Sequence, residues 1–171
     1  PVYHGGEVPP TVAARRELVR VAELGLWTGI ATLASARHLN EVGGAIEDAI
    51  LAEADAPGGT GRQYGILLDY VGHGIGRRMH EEPPVFNYRV DRRGPAVKPG
   101  LVVAIEPMIV AGSIETFVRE DGWTVTTADG SDAAHVEHSV AVHADGIWVL
   151  TAEDGGAAGL APFGVTPVPI P

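Results

Sequence analysis

The chain has 171 residues, with 22 acidic against 12 basic side chains and a formal net charge of −10, a balance that argues against a nucleic-acid-binding surface. It contains no cysteine, which excludes disulfides and thiolate metal sites, so any metal must be held by nitrogen and oxygen. No apolar run reaches membrane-spanning length and no basic segment with an apolar core marks a secretory signal, so no membrane partner is expected and the cytoplasm is the expected location.

In chain order, Pro9-Pro10-Thr11 is a helix-start signal, and Val12, Leu18, Val19, Ala22, Leu26, Ile30 and Leu33 follow at helical spacing. The first predicted helix therefore covers 11–34. A second runs from Asn40, read as its N-cap, to Ala54, with Val42, Ile46, Ala49 and Ile50 on one face. Gly25, Gly29, Gly43 and Gly44 lower helix propensity and are read as points of close packing on a sheet. Pro57-Gly58-Gly59-Thr60-Gly61 is a loop, and Tyr64 to Val71 reads as a strand feeding Gly72. Prolines and arginines make 83–100 a long irregular connection. Its cluster Arg89, Arg92, Arg93 is broken by Asp91 and reads as a solvated loop. Strands are expected over 101–110 and 133–142, with hairpins turning at Asp121-Gly122 and at Ala144-Asp145-Gly146. From Ala152 onward the Gly, Ala and Pro content predicts an extended or partly disordered tail. Two helices followed by antiparallel strands give an α+β order, with helices covering one face of a curved antiparallel sheet.

The chemistry concentrates in three stretches. Gly72-His73-Gly74-Ile75-Gly76 alternates glycine around a histidine, although each glycine costs roughly 0.5–1 kcal/mol in regular structure. Something must approach this backbone closely, and His73 reads as an imidazole aimed at a metal or substrate. The competing reading is a glycine turn whose histidine is satisfied by a backbone carbonyl. Glu106 and Glu137 each stand where a mostly buried apolar strand predicts an aliphatic residue. An unpaired carboxylate there costs several kcal/mol, so each needs a cation, a proton or a donor network. Arg77, Arg78 and Arg119 are the alternative partners. One histidine and two glutamates make a site suited to Mn, Co, Fe or Zn, and ligand type does not choose among them.

GHGIGRRMHEEPPVFNY, KPGLVVAIEPMIVAG and DGWTVTTADGSDAAHVEHSVAV resemble, in order and spacing, the C-terminal half of type I methionine aminopeptidases, over about Val8 to Thr151. The resemblance implies the second half of a pita-bread (creatinase/methionine aminopeptidase-like) fold, with residues 1–151 as part of one catalytic domain and 152–171 as the tail. It implies two divalent metal ions, N-terminal methionine peptides or nascent chains as substrates, and cellular work near the ribosome. By motif position, His73, Glu106 and Glu137 are three of five metal ligands, with Glu106 also the proton shuttle and Glu137 shared between the ions. His80 contacts the scissile amide in this reading, or else is a supporting structural histidine. Met79 stands where the family has an aromatic residue beside its substrate, and Trp123 is expected to line the methionine pocket unless it is a plain core residue. His135 and His138 have no motif position as ligands and are read as supporting or surface residues.

The two aspartate ligands of the family have no counterpart in the chain, and its first residue is Pro1. The expectation is a piece of a longer chain, inactive alone and prone to instability or self-association. Two alternatives remain at this stage: a prolidase or aminopeptidase P-like exopeptidase of the same fold, and a non-catalytic module that binds peptides or proteins.

Overall fold

The structure, a computed structural model, describes residues 10–55 and 63–171. The expected loop at 57–61 lies outside the described residues.

Helix α1 spans Pro10–Leu33 and α2 spans Asn40–Asp55. On α1 the buried positions Leu18, Val21, Ala22, Gly25, Leu26, Gly29, Ile30 and Leu33 recur at three- and four-residue intervals, the stripe that a 3.6-residue repeat turns to one side. Val19, expected on that stripe, is exposed. The α1 glycines pack against the second helix rather than a sheet: a Cβ at Gly25 would stand 2.9 Å from Ile50, and one at Gly29 would stand 2.8 Å from Ile46. Removing the side chain from both positions lets the two helices approach. The side chain of Asn40 does not cap α2 as expected but donates to the Arg92 carbonyl, while Glu41 accepts the N–H groups of Arg37 and His38.

Among the described residues ten short strands follow: β1 Gly65–Ile66, β2 Gly72–Gly74, β3 Glu81–Val85, β4 Val102–Ile105, β5 Met108–Val110, β6 Thr116–Val118, β7 Val125–Thr127, β8 Ala133–His135, β9 His138–His143 and β10 Gly146–Val149. All pairings are antiparallel. Five strands form one sheet in the order β10-β9-β4-β2-β3, three form another in the order β1-β5-β8, and β6 pairs with β7 alone. Helix α1 packs on β4, β5 and β8, and the core joins its stripe to Val103, Ile105, Ile109 and Val140.

The runs expected as single strands over 101–110 and 133–142 are each broken in the middle. β4 gives way to β5 at Glu106-Pro107, and β8 gives way to β9 at Val136-Glu137. At each break the chain passes from one sheet to the other. Because Ile105 pairs with His138 and Met108 pairs with His135, the two breaks face each other across the seam. The expected strand over 64–71 shrinks to β1, and the connection after Pro83 begins as strand β3.

The C-terminal stretch is not an extended tail throughout. Residues Ala157–Leu160 form helix α3, and Ala161–Phe163 continue as a 3-10 turn. Leu160 is fully buried. Small residues are required there: a side chain at Gly159 would enter the ring of Trp27, and one at Gly155 would enter that of Trp148. Trp27 and Trp148 fill the space that the glycines leave.

A candidate metal centre on the seam between two sheets

The register explains why Glu106 meets two histidines. His73 pairs with Ala104 across β2 and β4, and His135 pairs with Met108 across β8 and β5. Glu106 stands in the break between these two paired positions, two residues from Ala104 and two from Met108. Glu106 is thus the diagonal neighbour of both imidazoles, one from each sheet. Its Oε1 lies 3.3 Å from His73 Nε2 and its Oε2 lies 3.1 Å from His135 Nε2.

Glu106 is only 7% exposed, yet no arginine or lysine pairs with it among the described residues. The Glu-Arg alternative therefore finds no support in the geometry. On the other side of the ring, His73 Nδ1 lies 2.9 Å from the Gly74 carbonyl, a group that can only accept. Nδ1 therefore carries a proton, and in the neutral ring Nε2 offers a lone pair toward a carboxylate oxygen. Two acceptors face each other there, an arrangement that calls for a proton or a cation between them. The carbonyl-satisfied reading of His73 and the ligand reading describe the two nitrogens of one ring.

Glu137 completes the cluster. One ligand atom each from Glu106, His135 and Glu137 lies within 4.8 Å of the others. Glu137 itself is exposed, in contrast to the buried strand position expected for it, because it occupies the break between β8 and β9. Oxygen and imidazole nitrogen with no thiolate suit a divalent first-row ion, so the residues present fit a metal. Hydrogen bonding to Glu106 raises the pKa of His135, against the opposing effect of burial.

The alternating glycines prove to serve the sheet. A Cβ at Gly72 would run into the Ala104 carbonyl on β4, and one at Gly74 would run into the Glu82 carbonyl on β3. What approaches this backbone is its two neighbouring strands, and β2 bulges between His73 and Gly74. His80 is exposed, with its ring edge-on to that of His73 at a centroid distance of 4.4 Å. A cleft of about 630 Å³ runs beside the pair, lined also by Arg78, Glu81, Glu82 and Pro84. A larger groove of about 710 Å³ around Arg37, Asp48 and Arg89 includes none of these candidate ligands.

Met79 is 69% exposed and Trp123 is 87% exposed, the latter between β6 and β7, and neither lines that cleft. His138 turns away from the cluster: its Nδ1 lies 2.7 Å from Thr151 Oγ1, its ring packs on Trp27, and burial lowers its pKa. His135, read from the sequence as a supporting or surface residue, is in contact with Glu106, and Asn87 was not singled out at all. His135 was legible in principle, because His135 and Glu137 are two apart and share a face of any extended chain. Asn87, fully buried, donates through Nδ2 to the carbonyls of Tyr70 and Glu106 and so fixes the backbone at the break. Nothing in the irregular stretch around Asn87 signals that task.

The buried carboxylate between two imidazoles, on the seam of two antiparallel sheets, fits a metal-dependent enzyme, and residues 2–144 match metallopeptidase family M24. The chain belongs to that family. Within it, the chain is 48% identical over 126 residues to methionine aminopeptidase 1 of Mycobacterium tuberculosis, covering 74% of this chain and 46% of the relative. It is 36% identical over 136 residues to methionine aminopeptidase 1 of Bacillus subtilis, covering 80% and 51%. The crystal structure of methionine aminopeptidase from Rickettsia prowazekii superposes with a TM-score of 0.72 at 34% identity, over 88% of this chain and 56% of that one. The prolidase from Pyrococcus furiosus, at 17% identity and a TM-score of 0.54 over 88% and 35%, shares the fold alone. The pita-bread assignment stands on these likenesses. The chain spans about half the length of the curated relatives it matches. Among the described residues no helix is long and apolar enough to cross a membrane.

Proposed function

We propose that this chain carries metal ligands of a methionine aminopeptidase, which releases the N-terminal methionine of peptides and nascent chains in the cytoplasm, near the ribosome. The observation that carries the reading is Glu106, buried without a basic partner and facing an imidazole from each sheet, in a chain whose relatives are named for that activity. His73, Glu106 and Glu137 are the proposed ligands of two divalent ions drawn from Mn, Co, Fe and Zn.

Bound there, such ions supply Lewis acidity and lower the pKa of water from 15.7 toward about 7. The chain's own residues do the remaining work. The Gly74 carbonyl holds the Nδ1 proton of His73, which reserves Nε2 for coordination. Glu106, anchored through its carbonyl by Asn87, is the proposed acceptor of the proton lost by the attacking water and its donor to the leaving amine. His80, on the cleft beside His73, donates a hydrogen bond to the scissile amide. Met79 and Trp123 are proposed as apolar contacts for the methionine side chain.

The test is a chimera in which this chain replaces the stretch that it matches in the Mycobacterium tuberculosis relative. With Mn(II) or Co(II), the chimera is expected to release methionine from a Met-Ala-Ser peptide, and His73→Ala, Glu106→Gln and Glu137→Gln are each expected to abolish release. Cleavage of X-Pro dipeptides in place of Met-Ala-Ser would favour the prolidase-like reading. A folded chimera that cleaves neither substrate would leave the non-catalytic binding module.

A further inference from the structure

We propose that His135 is itself a metal ligand, so that Glu106, His135 and Glu137 hold one divalent ion on the side of Glu106 away from His73. The inference rests on the metallopeptidase reading of the same seam and adds a nitrogen donor to it. Two ligand atoms that each stand about 2.0–2.2 Å from one ion are roughly 2.8–3.6 Å apart at tetrahedral or octahedral angles. His135 Nε2 and Glu106 Oε2 are 3.1 Å apart, within that range, as are His73 Nε2 and Glu106 Oε1 at 3.3 Å. Glu106 thus turns one oxygen toward each imidazole, which defines two corners rather than one.

Glu137 belongs to the His135 corner. It shares the 4.8 Å cluster with Glu106 and His135, a cluster that does not include His73. The backbone makes this grouping follow from the fold: His135 ends β8, and Glu137 is two residues on, in the break that faces Glu106. The corner is also open. His135 keeps 46% of its side-chain surface and Glu137 is exposed, which leaves room for water or substrate to complete the coordination. Imidazole with two carboxylates selects first-row ions such as Zn(II), Co(II) or Mn(II) over Mg(II) and Ca(II), which prefer oxygen alone. The competing role is a positioning one, with His135 Nε2–H donating to Glu106 and never touching the ion.

The two roles separate by experiment on the full 171-residue chain. Zn(II) is titrated into ¹⁵N-histidine-labelled protein while the imidazole nitrogens are followed by long-range ¹H–¹⁵N correlation, and Zn(II) affinity is measured by calorimetry with and without His135→Gln. Glutamine can still donate to Glu106 but carries no imidazole nitrogen, so a positioning role survives the substitution and a ligand role does not. The expected result is that Nε2 of both His73 and His135 moves to a metal-coordinated shift, and that His135→Gln weakens Zn(II) binding at least about tenfold with unchanged far-ultraviolet circular dichroism. Movement of His73 without His135, or unchanged affinity in His135→Gln, overturns the proposal and leaves the metallopeptidase reading intact. No movement at either ring overturns both.

Discussion

Glu106 is the residue on which the chemistry and the fold meet, and glutamine separates the two. A carboxamide at this position has one donor and one acceptor, so it can give a hydrogen bond to His73 Nε2 and take one from His135 Nε2, keeping both present contacts. Metal-free stability of Glu106→Gln is therefore expected to change by less than about 1 kcal/mol in urea unfolding. Its affinity for Mn(II) is expected to fall by at least about 100-fold, since loss of a mere supporting partner already costs 10–100-fold. A large loss of stability with affinity preserved would make Glu106 a structural residue. The sequence exposed this residue because a carboxylate in an apolar run is anomalous by itself, and it exposed His73 through its glycines. His135 carries no such anomaly. Its spacing from Glu137 is visible in the sequence, but its contact with Glu106 depends on pairing with Met108 on a strand 27 positions earlier.

At the level of elements, β2 is a three-residue strand wedged between β3 and β4, and its glycines are there for room. Gly74→Ala would press a methyl group against the Glu82 carbonyl, part of a strand that cannot yield without breaking its own pairing. The expected cost is about 1–3 kcal/mol in urea unfolding, together with weaker metal binding as His73 tilts. Gly76→Ala is the control: its Cβ would meet only the movable Glu81 carboxylate, at 3.0 Å, and stability should hold within about 0.5 kcal/mol. A second element-scale device ties two loops together. Asp129 accepts the N–H of Ser113 at 2.7 Å and of Ser131 at 3.0 Å, and these bonds hold its carboxyl down to about 2. A depressed folded pKa gives stability that is present above the unfolded value of about 3.9 and lost as pH falls through about 2. Protection of the Ser113 amide, taken relative to its intrinsic exchange rate at each pH, should therefore fall across that window, and Asp129→Asn should remove that fall. The helices were legible because a 3.6-residue repeat sustained over 24 and 16 residues has few alternatives. The strands were less so, because an apolar run reads the same whether it stays in one sheet or crosses to another. Only Pro107, which cannot donate to a ladder, marks the first crossing.

For the whole molecule, the seam is the point where a ligand acts on folding. The two sheets are joined at the candidate centre by residues from β2, β8 and the two breaks, so an ion bound there ties together elements far apart in sequence. An unfolded chain holds His73, Glu106, His135 and Glu137 at unrelated distances and binds the same ion far more weakly. Linkage then converts affinity into stability: an ion at 100 times its dissociation constant adds about 2.7 kcal/mol. For a chain of this size each kcal/mol raises the melting temperature by roughly 2–4 °C, so saturating Zn(II) or Mn(II) should raise it by roughly 5–10 °C, and chelation should reverse the rise. Mg(II) at the same concentration should do much less, because it prefers an all-oxygen shell and sheds its own water reluctantly. Differential scanning calorimetry with each ion, and with chelator added back, decides the matter. A melting temperature indifferent to Zn(II) and Mn(II) would mean that the seam closes on its own hydrogen bonds, with a proton rather than a metal ion between His73 and Glu106.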